Sequence, residues 1–500
     1  MKHFRWLGIA LFGIYLVWAV QAASHRRLWY DELYTLAIAR EDPANMWRAE
    51  TAGFDFSLPM VHLLSWLALH LPLAEEISVR IAPIAGLAIL AFCLIVFVGR
   101  RLGLPYGLIA GSIVLLIGTN TEFTLLEARP YGILVGFVGV TLIGWQAAAD
   151  EDGEWRRFGL AGVAIGLTGA LASHVYALLL YCPFGAAELW RWRERRRPDW
   201  PMGVAFLASL TPVFLYLPLL SASRQLTLAG PVYALDVSRI AKSYGYLLMT
   251  TIELLPMLLL IWVAAWQSRR VSPPYESDMC VRVPKRERVF AVTMMLLPVL
   301  GYLLARVTHI LFFPRYSFPF IGGYAMLLAY ATYGWSRGKS ESAWLFAGTA
   351  MVCMLFPIVL TGLSPQHPPR AGQVRQAELE MAAGDDPIVV SSGMVFLEMN
   401  RYLPPDLARR LVYIADPELA IKFVESDGID RPLALSVPWT KPMGRVVPYH
   451  EFTSGHNVFW WYGNGRDPLE WTLAQWKNSR ADIQTVAVQG EYRLNRITLH

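Results

Sequence analysis

The feature that most constrains this chain is a series of apolar stretches, most of about 17–22 residues, recurring through its first 363 positions. An apolar helix of that length crosses a bilayer core of about 30 Å, whereas irregular backbone would strand its polar groups in lipid. The pattern predicts spans near Trp6–Ala22, Ile77–Val98, Gly103–Thr121, Tyr131–Ala149, Phe158–Ala172 and Val175–Leu189. Further spans are predicted near Trp200–Leu220, Tyr246–Gln267, Val289–Ala305, Tyr316–Trp335 and Ala343–Leu363, about eleven in all. With 55% hydrophobic and only 17% charged residues, the chain falls well short of the roughly one-quarter charge of soluble domains. It reads as an α-helical polytopic membrane protein.

Charge sets the orientation. Leu58–Leu71 is apolar but short, and it carries His62 and His70, so it reads as an interfacial helix. With that stretch left out of the membrane, Arg100-Arg101, Arg156-Arg157, the Arg191–Arg197 cluster, Arg269-Arg270, Lys285–Arg288, Arg337 and Lys339 share one side with Lys2 and Arg5. Positive residues mark the cytoplasmic face. The N-terminus is therefore expected in the cytoplasm and the C-terminus outside, with the first helix retained although Val20-Gln21-Ala22 has the look of a cleavage site. The net charge of +5 is a topology signal and gives no argument for nucleic-acid binding. The four cysteines are Cys93, Cys182, Cys280 and Cys353; none lies in the exported tail, so no disulfide framework is expected. No glycosylation sequon occurs, consistent with a bacterial inner membrane.

Two expected domains follow: a transmembrane domain over residues 1–363, whose first outer loop spans 23–76, and an extracytoplasmic α/β domain over 364–500. In the tail, strands are predicted at Pro387–Ser392, Leu411–Ala415, Leu433–Val437, Asn457–Tyr462, Thr485–Val488 and Tyr492–Thr498, with helices at Val395–Tyr402 and Pro417–Ser426. A proline-rich hinge, Pro365–Pro369, precedes it. The tail holds no phosphate loop, metal-ligand spacing or nucleophile elbow; it is expected to cap the membrane site or to recognise an acceptor. In the first outer loop, helical patterning runs over Asp31–Arg40 and Pro43–Ala49, with rings at Trp29, Tyr30, Tyr34, Trp47, Phe54 and Phe56 suited to an interfacial layer.

The predicted spans are nearly free of charge, Glu253 being the main exception. Charges collect instead at the outer ends: Asp31, Glu32, Asp55, Arg80, Glu127, Arg129, His174, Arg306, His309 and Arg315. Arginines on the side that positive-inside bias depletes call for an anion or a carboxylate partner. A lipid phosphate is the natural anion at a bilayer surface, and Arg meets phosphate with a bidentate fork. A carboxylate such as Asp31 can take a proton from an acceptor hydroxyl or amine. The pair Asp31-Glu32 with His62 nearby also has the donor types for a divalent cation, magnesium or manganese, but no spacing is diagnostic.

At these residues the chain resembles the GT-C fold of polyprenyl-phosphate-dependent glycosyltransferases, the group that contains protein O-mannosyltransferases and aminoarabinose transferases. The resemblance lies in ordered motifs over roughly Met1–Leu363. These are Asp31-Glu32 after the first span, Asp55-Phe56-Ser57-Leu58-Pro59-Met60, Val79-Arg80, Glu127-Ala128-Arg129-Pro130-Tyr131, Ser173-His174-Val175-Tyr176 and Pro314-Arg315-Tyr316. The second departs from the group's Asp-x-His-Pro-Pro-Leu pattern, lacking its histidine and one proline.

The resemblance implies inverting transfer of a sugar from a polyprenyl-phosphate donor to a lipid, glycan or protein acceptor on the outer face of the inner membrane. It implies Asp31 as general base, Glu32 as its orienting neighbour or a cation ligand, and Arg129 and Arg315 on the donor phosphate. Arg80, His174, Tyr131 and Glu127 fall in the donor site, and Asp55 and Glu253 are candidates for a second acid or an acceptor contact. Two other readings stay open: a transporter or flippase of a lipid-linked glycan, favoured if Glu253 lay at mid-depth, and a catalytically silent scaffold of the same fold.

Overall fold

A computed structural model of the chain describes residues 2–55, 57–119, 124–150, 153–223, 226–228, 233–271, 282–363, 379–436, 444–465 and 467–500. They form two compact units. One comprises Met1–His25, Arg80–Leu215 and Leu235–Pro365; the other comprises Arg26–Val79, Tyr216–Ala234 and Gln366–His500. Phe56, Cys280 and the hinge Pro365–Pro369 lie outside the described residues.

The first unit is helical. Among the described residues, Trp6–His25, Glu75–Leu102 and Pro130–Asp150 are each long and apolar enough to cross a membrane. Lys285–Met294 and Leu297–Thr308 qualify together but are bent by 55°, where the sequence predicts one straight span, Val289–Ala305. Pro298 sits in the first turn of the second piece, and its ring and missing N–H prevent a continuous helix. For the same reason the predicted span Trp200–Leu220 is three short helices, Trp200–Ala208, Thr211–Leu215 and Leu217–Ser223; Pro212 and Pro218 open the last two. The predicted Val175–Leu189 begins as a 3-10 turn, Val175–Leu180, before the helix Tyr181–Arg195.

Small residues let the helices meet backbone to backbone. A Cβ on Gly86 would lie 2.1 Å from the carbonyl oxygen of Gly132, so helix Ile81–Leu102 and helix Pro130–Asp150 touch without intervening side chains. That contact anchors the helix whose first turn follows Glu127-Ala128-Arg129.

The second unit joins the first outer loop to the tail. Its loop part holds helices Tyr30–Ala39, Pro43–Thr51 and Pro59–Leu69. The last has 11 residues, about 16 Å at 1.5 Å per residue, too short to cross a bilayer. The tail carries a six-stranded sheet of β1 (Ile388–Val390), β2 (Leu411–Ile414), β3 (Arg445–Val447), β4 (Val458–Gly463), β5 (Asp482–Gln489) and β6 (Tyr492–Thr498). Their order is β3-β2-β1-β4-β6-β5. The first four run parallel, and β6 pairs antiparallel with both β4 and β5. One face buries Val389, Val412, Ile414, Phe459, Trp461 and Trp476. Of the predicted strand Leu433–Val437, residues 433–436 belong instead to helix Asp430–Ser436, and Val437 lies outside the described residues. A run as short as Leu433-Ala434-Leu435 suits either state, and Asp430 and Pro432 supply a helix start.

Tail helix Gly393–Tyr402 packs on helix Tyr30–Ala39. The Leu28 N–H donates to the Tyr402 hydroxyl at 2.8 Å, and the Arg27 guanidinium lies 5.0 Å from the Tyr402 ring centroid. Arg401 reaches Glu75 at 2.7 Å and Glu76 at 3.2 Å, and Glu75 also holds Arg40 at 2.6 Å. Such part-exposed pairs add little stability, but they fix register. A third strand of chain is clasped in: the Thr227 N–H donates to Asp427 at 2.7 Å, the Asp427 N–H returns to the Thr227 carbonyl at 3.1 Å, and Leu228 bridges to Ser426.

Candidate active site

The site residues read from the sequence divide between the two units. In the helical unit, Arg129 immediately precedes helix Pro130–Asp150 and is buried, as is Tyr131 in its first turn. Glu127 is buried two residues earlier, and its carbonyl accepts the Arg129 N–H at 2.6 Å. His174 lies in the turn after helix Gly153–Ser173, where its Nδ1 accepts the Tyr176 N–H at 3.2 Å. An imidazole that accepts at Nδ1 carries its proton on Nε2 and is neutral. Burial, then Arg129 and Arg315, push its pKa down to about 3. Arg315 belongs to the short turn Pro314–Ser317.

Aromatic rings surround Arg315. The Arg315 guanidinium stands 5.6 Å from the Tyr131 ring and 5.3 Å from that of Phe313. Tyr316 lies 4.7 Å from His174 and 6.1 Å from Tyr131 between centroids. The structure adds a cation that the sequence reading did not select, Arg239. It is buried, 4.7 Å from the same Phe313 ring, and donates to the Phe312 carbonyl at 2.5 Å. It sits in the first turn of helix Ser238–Val271, whereas the predicted span began at Tyr246. The outer-end arginine signal that picked out Arg129 would have found it had the helix start been placed correctly.

Other predicted residues lie elsewhere. Arg80 is buried and donates to the Ala23 carbonyl at 2.9 Å, tying down the end of the first helix. Arg306 and His309 are exposed. Glu253 lies on helix Ser238–Val271, and its side chain is outside the described residues.

In the second unit, Asp31 and Glu32 open helix Tyr30–Ala39, where acids meet the positive end of the helix dipole. They diverge in role. Glu32 is fully buried and accepts the Trp29 N–H at 3.3 Å, satisfying one free donor at the helix start. Asp31 is half-buried beside Tyr30 and Tyr34, whose hydroxyls are 3.2 Å apart. Burial, together with Tyr34 and Asp31, holds the Tyr30 phenol protonated. Asp55 joins a buried trio: His62 Nε2 lies 3.1 Å from Asp55 and Nδ1 lies 2.5 Å from Glu50. Burial disfavours the imidazolium, but the two carboxylates outweigh it and raise the His62 pKa to about 9. The charged ring donates to both. Among the described residues no three His, Cys, Asp or Glu side chains are placed to hold a metal ion, and Glu32 is committed to its cap.

No protein-family model matches the chain, and no curated protein matches it in sequence. Solved structures do match. ArnT from Cupriavidus metallidurans in the apo state aligns with 99% of this chain and 98% of its own, at 12% identity and a TM-score of 0.54. The structure of the same protein bound to undecaprenyl phosphate aligns over 98% of each chain, at 13% identity and a TM-score of 0.55. Over nearly its whole length the chain therefore has the GT-C fold of these ArnT structures, the polytopic membrane architecture that its ordered motifs resemble.

Proposed function

We propose that this chain is a glycosyltransferase of the bacterial inner membrane, moving a sugar from a polyprenyl-phosphate donor to an acceptor on the outer face. The observation that carries the reading is the pair Arg239 and Arg315 on the Phe313 ring, with Arg129 and Arg315 both acting on His174, on a fold shared with an ArnT structure bound to undecaprenyl phosphate. Guanidiniums in a water-poor setting suit a phosphate and stabilise the charge that grows on it as the sugar leaves. Neutral His174, accepting at Nδ1, keeps an Nε2–H that can donate to the same anion.

The reaction is a single displacement. The acceptor oxygen or nitrogen bonds to the anomeric carbon, the bond from that carbon to the phosphate oxygen breaks, and polyprenyl phosphate departs with the electron pair. The acceptor proton passes to Asp31. One displacement inverts the anomeric centre. Glu32 holds the helix that carries Asp31, and the Tyr131 ring packs on the sugar or caps the phosphate.

The test is transfer by purified protein in lipid, using a panel of radiolabelled polyprenyl-phosphate sugars. Label should move to an acceptor or to water with wild type, and Asp31→Asn should lower the rate about 10²–10⁴-fold while the variant still inserts and folds. Full turnover in Asp31→Asn would exclude the base, and translocation of the lipid without transfer would replace the enzyme with a flippase.

A further inference from the structure

A second group of polar side chains lies at the carboxyl edge of the tail sheet. The strand order β3-β2-β1-β4 reverses between β1 and β4, and in parallel sheets ligands settle outside the carboxyl ends of the strands at that reversal. The edge is composed unlike the core beneath it. After β1 comes Ser391, buried, with its hydroxyl 2.8 Å from that of Thr472. β4 ends at Gly463, and a Cβ there would stand 2.5 Å from the Ser391 Cβ and 2.7 Å from Glu470 Oε2. Glycine thus leaves room for the Glu470 carboxyl to approach the strand end.

Glu470 is 9% exposed. One of its oxygens accepts the Asn464 N–H at 3.3 Å, while Oε2 has no hydrogen-bond partner among the described residues. A buried carboxyl oxygen left so is costly and calls for a donor. Burial, with Asp467 adding to it, outweighs hydrogen bonding from Ser391 and Asn464 and raises the Glu470 pKa to about 8.

The rest of the edge supplies a platform and more acceptors. β6 runs antiparallel to β4, so Tyr492 at its start comes beside the end of β4. Its ring stacks on Tyr462, 5.5 Å between centroids and 19° between planes. Tyr492 is half-buried, and the carboxyls of Glu470, Asp467, Glu398 and Glu491 all act on its phenol. Asn464 holds Glu491 at 3.1 Å. Acceptors grouped around a part-open aromatic face match a polyol ring, which donates hydroxyls at its rim and packs apolar C–H groups on an aromatic plane.

We infer that the carboxyl edge of the tail sheet, around Glu470, Asn464, Tyr462 and Tyr492, is a saccharide-binding site. The binding claim stands apart from the transfer chemistry. Its use as the acceptor seat rests on the transferase reading, and Glu398 gives that use a physical link, since Glu32 and Arg27 both act on its carboxyl within the same unit.

The experiment is saturation-transfer NMR on the full chain in lipid nanodiscs with glucose, glucosamine and N-acetylglucosamine, which offer hydroxyls alone, with an ammonium and with an amide. At least one should bind at millimolar concentration. Glu470→Gln and Tyr492→Ala should each weaken it tenfold or more, with Tyr492→Phe, which keeps the ring, near wild type. Thermal unfolding identifies any variant that fails to fold, and Asn464→Ala, on a half-buried loop residue, replaces it with the same expected loss. Binding by none of the three sugars, or binding unchanged in folded Glu470→Gln and Tyr492→Ala, overturns the site. Asp31→Asn should leave sugar binding intact, so a failed transfer reaction and a failed tail site give different results.

Discussion

In the helical unit the ionisable groups at the candidate site are guanidiniums set among rings; in the unit that carries the acidic motif they are mostly carboxylates. Two histidines show what that difference does. His174 and His62 both lose solvent, and burial opposes the charged form of each. Beside Arg129 and Arg315, His174 is pushed down to about 3, while between Glu50 and Asp55, His62 is pushed up to about 9. Burial sets the stakes and the neighbours choose the sign. One unit thereby keeps a neutral histidine among cations, and the other a charged histidine among acids.

The largest expected effect breaks the cationic side. Arg129→Ala and Arg239→Ala should each raise the lipid donor concentration needed for half-maximal transfer about 10–100-fold, the loss of one charged hydrogen bond, read from donor titrations. Lysine at either position should restore only part, because an ammonium cannot present the planar fork. Unchanged donor dependence in both would remove phosphate from this cluster.

A smaller effect sharpens the histidine contrast. The His62 pKa is higher folded than unfolded, so its stabilisation is complete below about pH 6.5 and is lost as pH rises through about 9. His62→Gln should therefore lower the thermal midpoint more at pH 6 than at pH 9.5. An equal loss at both pH values would place His62 among purely steric core residues.

The smallest effect runs in the same direction with pH but has a different origin. The raised pKa of Glu470 means that the folded state keeps a proton which the unfolded state releases near 4.5, so this group's cost grows as pH climbs toward about 8. Glu470→Gln should gain stability at pH 9, about 2–4 °C in midpoint, and nothing at pH 4.

What the sequence disclosed was local. The acidic pair, the Glu127–Tyr131 run and the helices around them depend on neighbouring residues, and so do tail strands such as Tyr492–Thr498, found at its predicted bounds. Short pieces were harder. Arg445–Val447 is a three-residue strand on the sheet edge and offers too little alternation to read. Long apolar runs concealed the proline breaks at Pro212, Pro218 and Pro298, since composition averages over them. Arg239 escaped because the helix start was set at Tyr246 and not at Ser238. No local pattern announces that Gly393–Tyr402 packs on Tyr30–Ala39, because that pairing depends on surfaces made hundreds of residues apart.

That pairing has a consequence for the order of synthesis. The helix bearing Asp31 leaves the ribosome early, yet its packing partner begins at Gly393. At about 5–20 residues per second the interval is on the order of 20–70 s. Until then the acidic motif waits without the surface it packs on, and so does the Thr227 segment for Asp427. A nascent chain would insert its helices in sequence and still lack a finished outer unit. Assembly of the acidic motif is thereby deferred until the tail has been made.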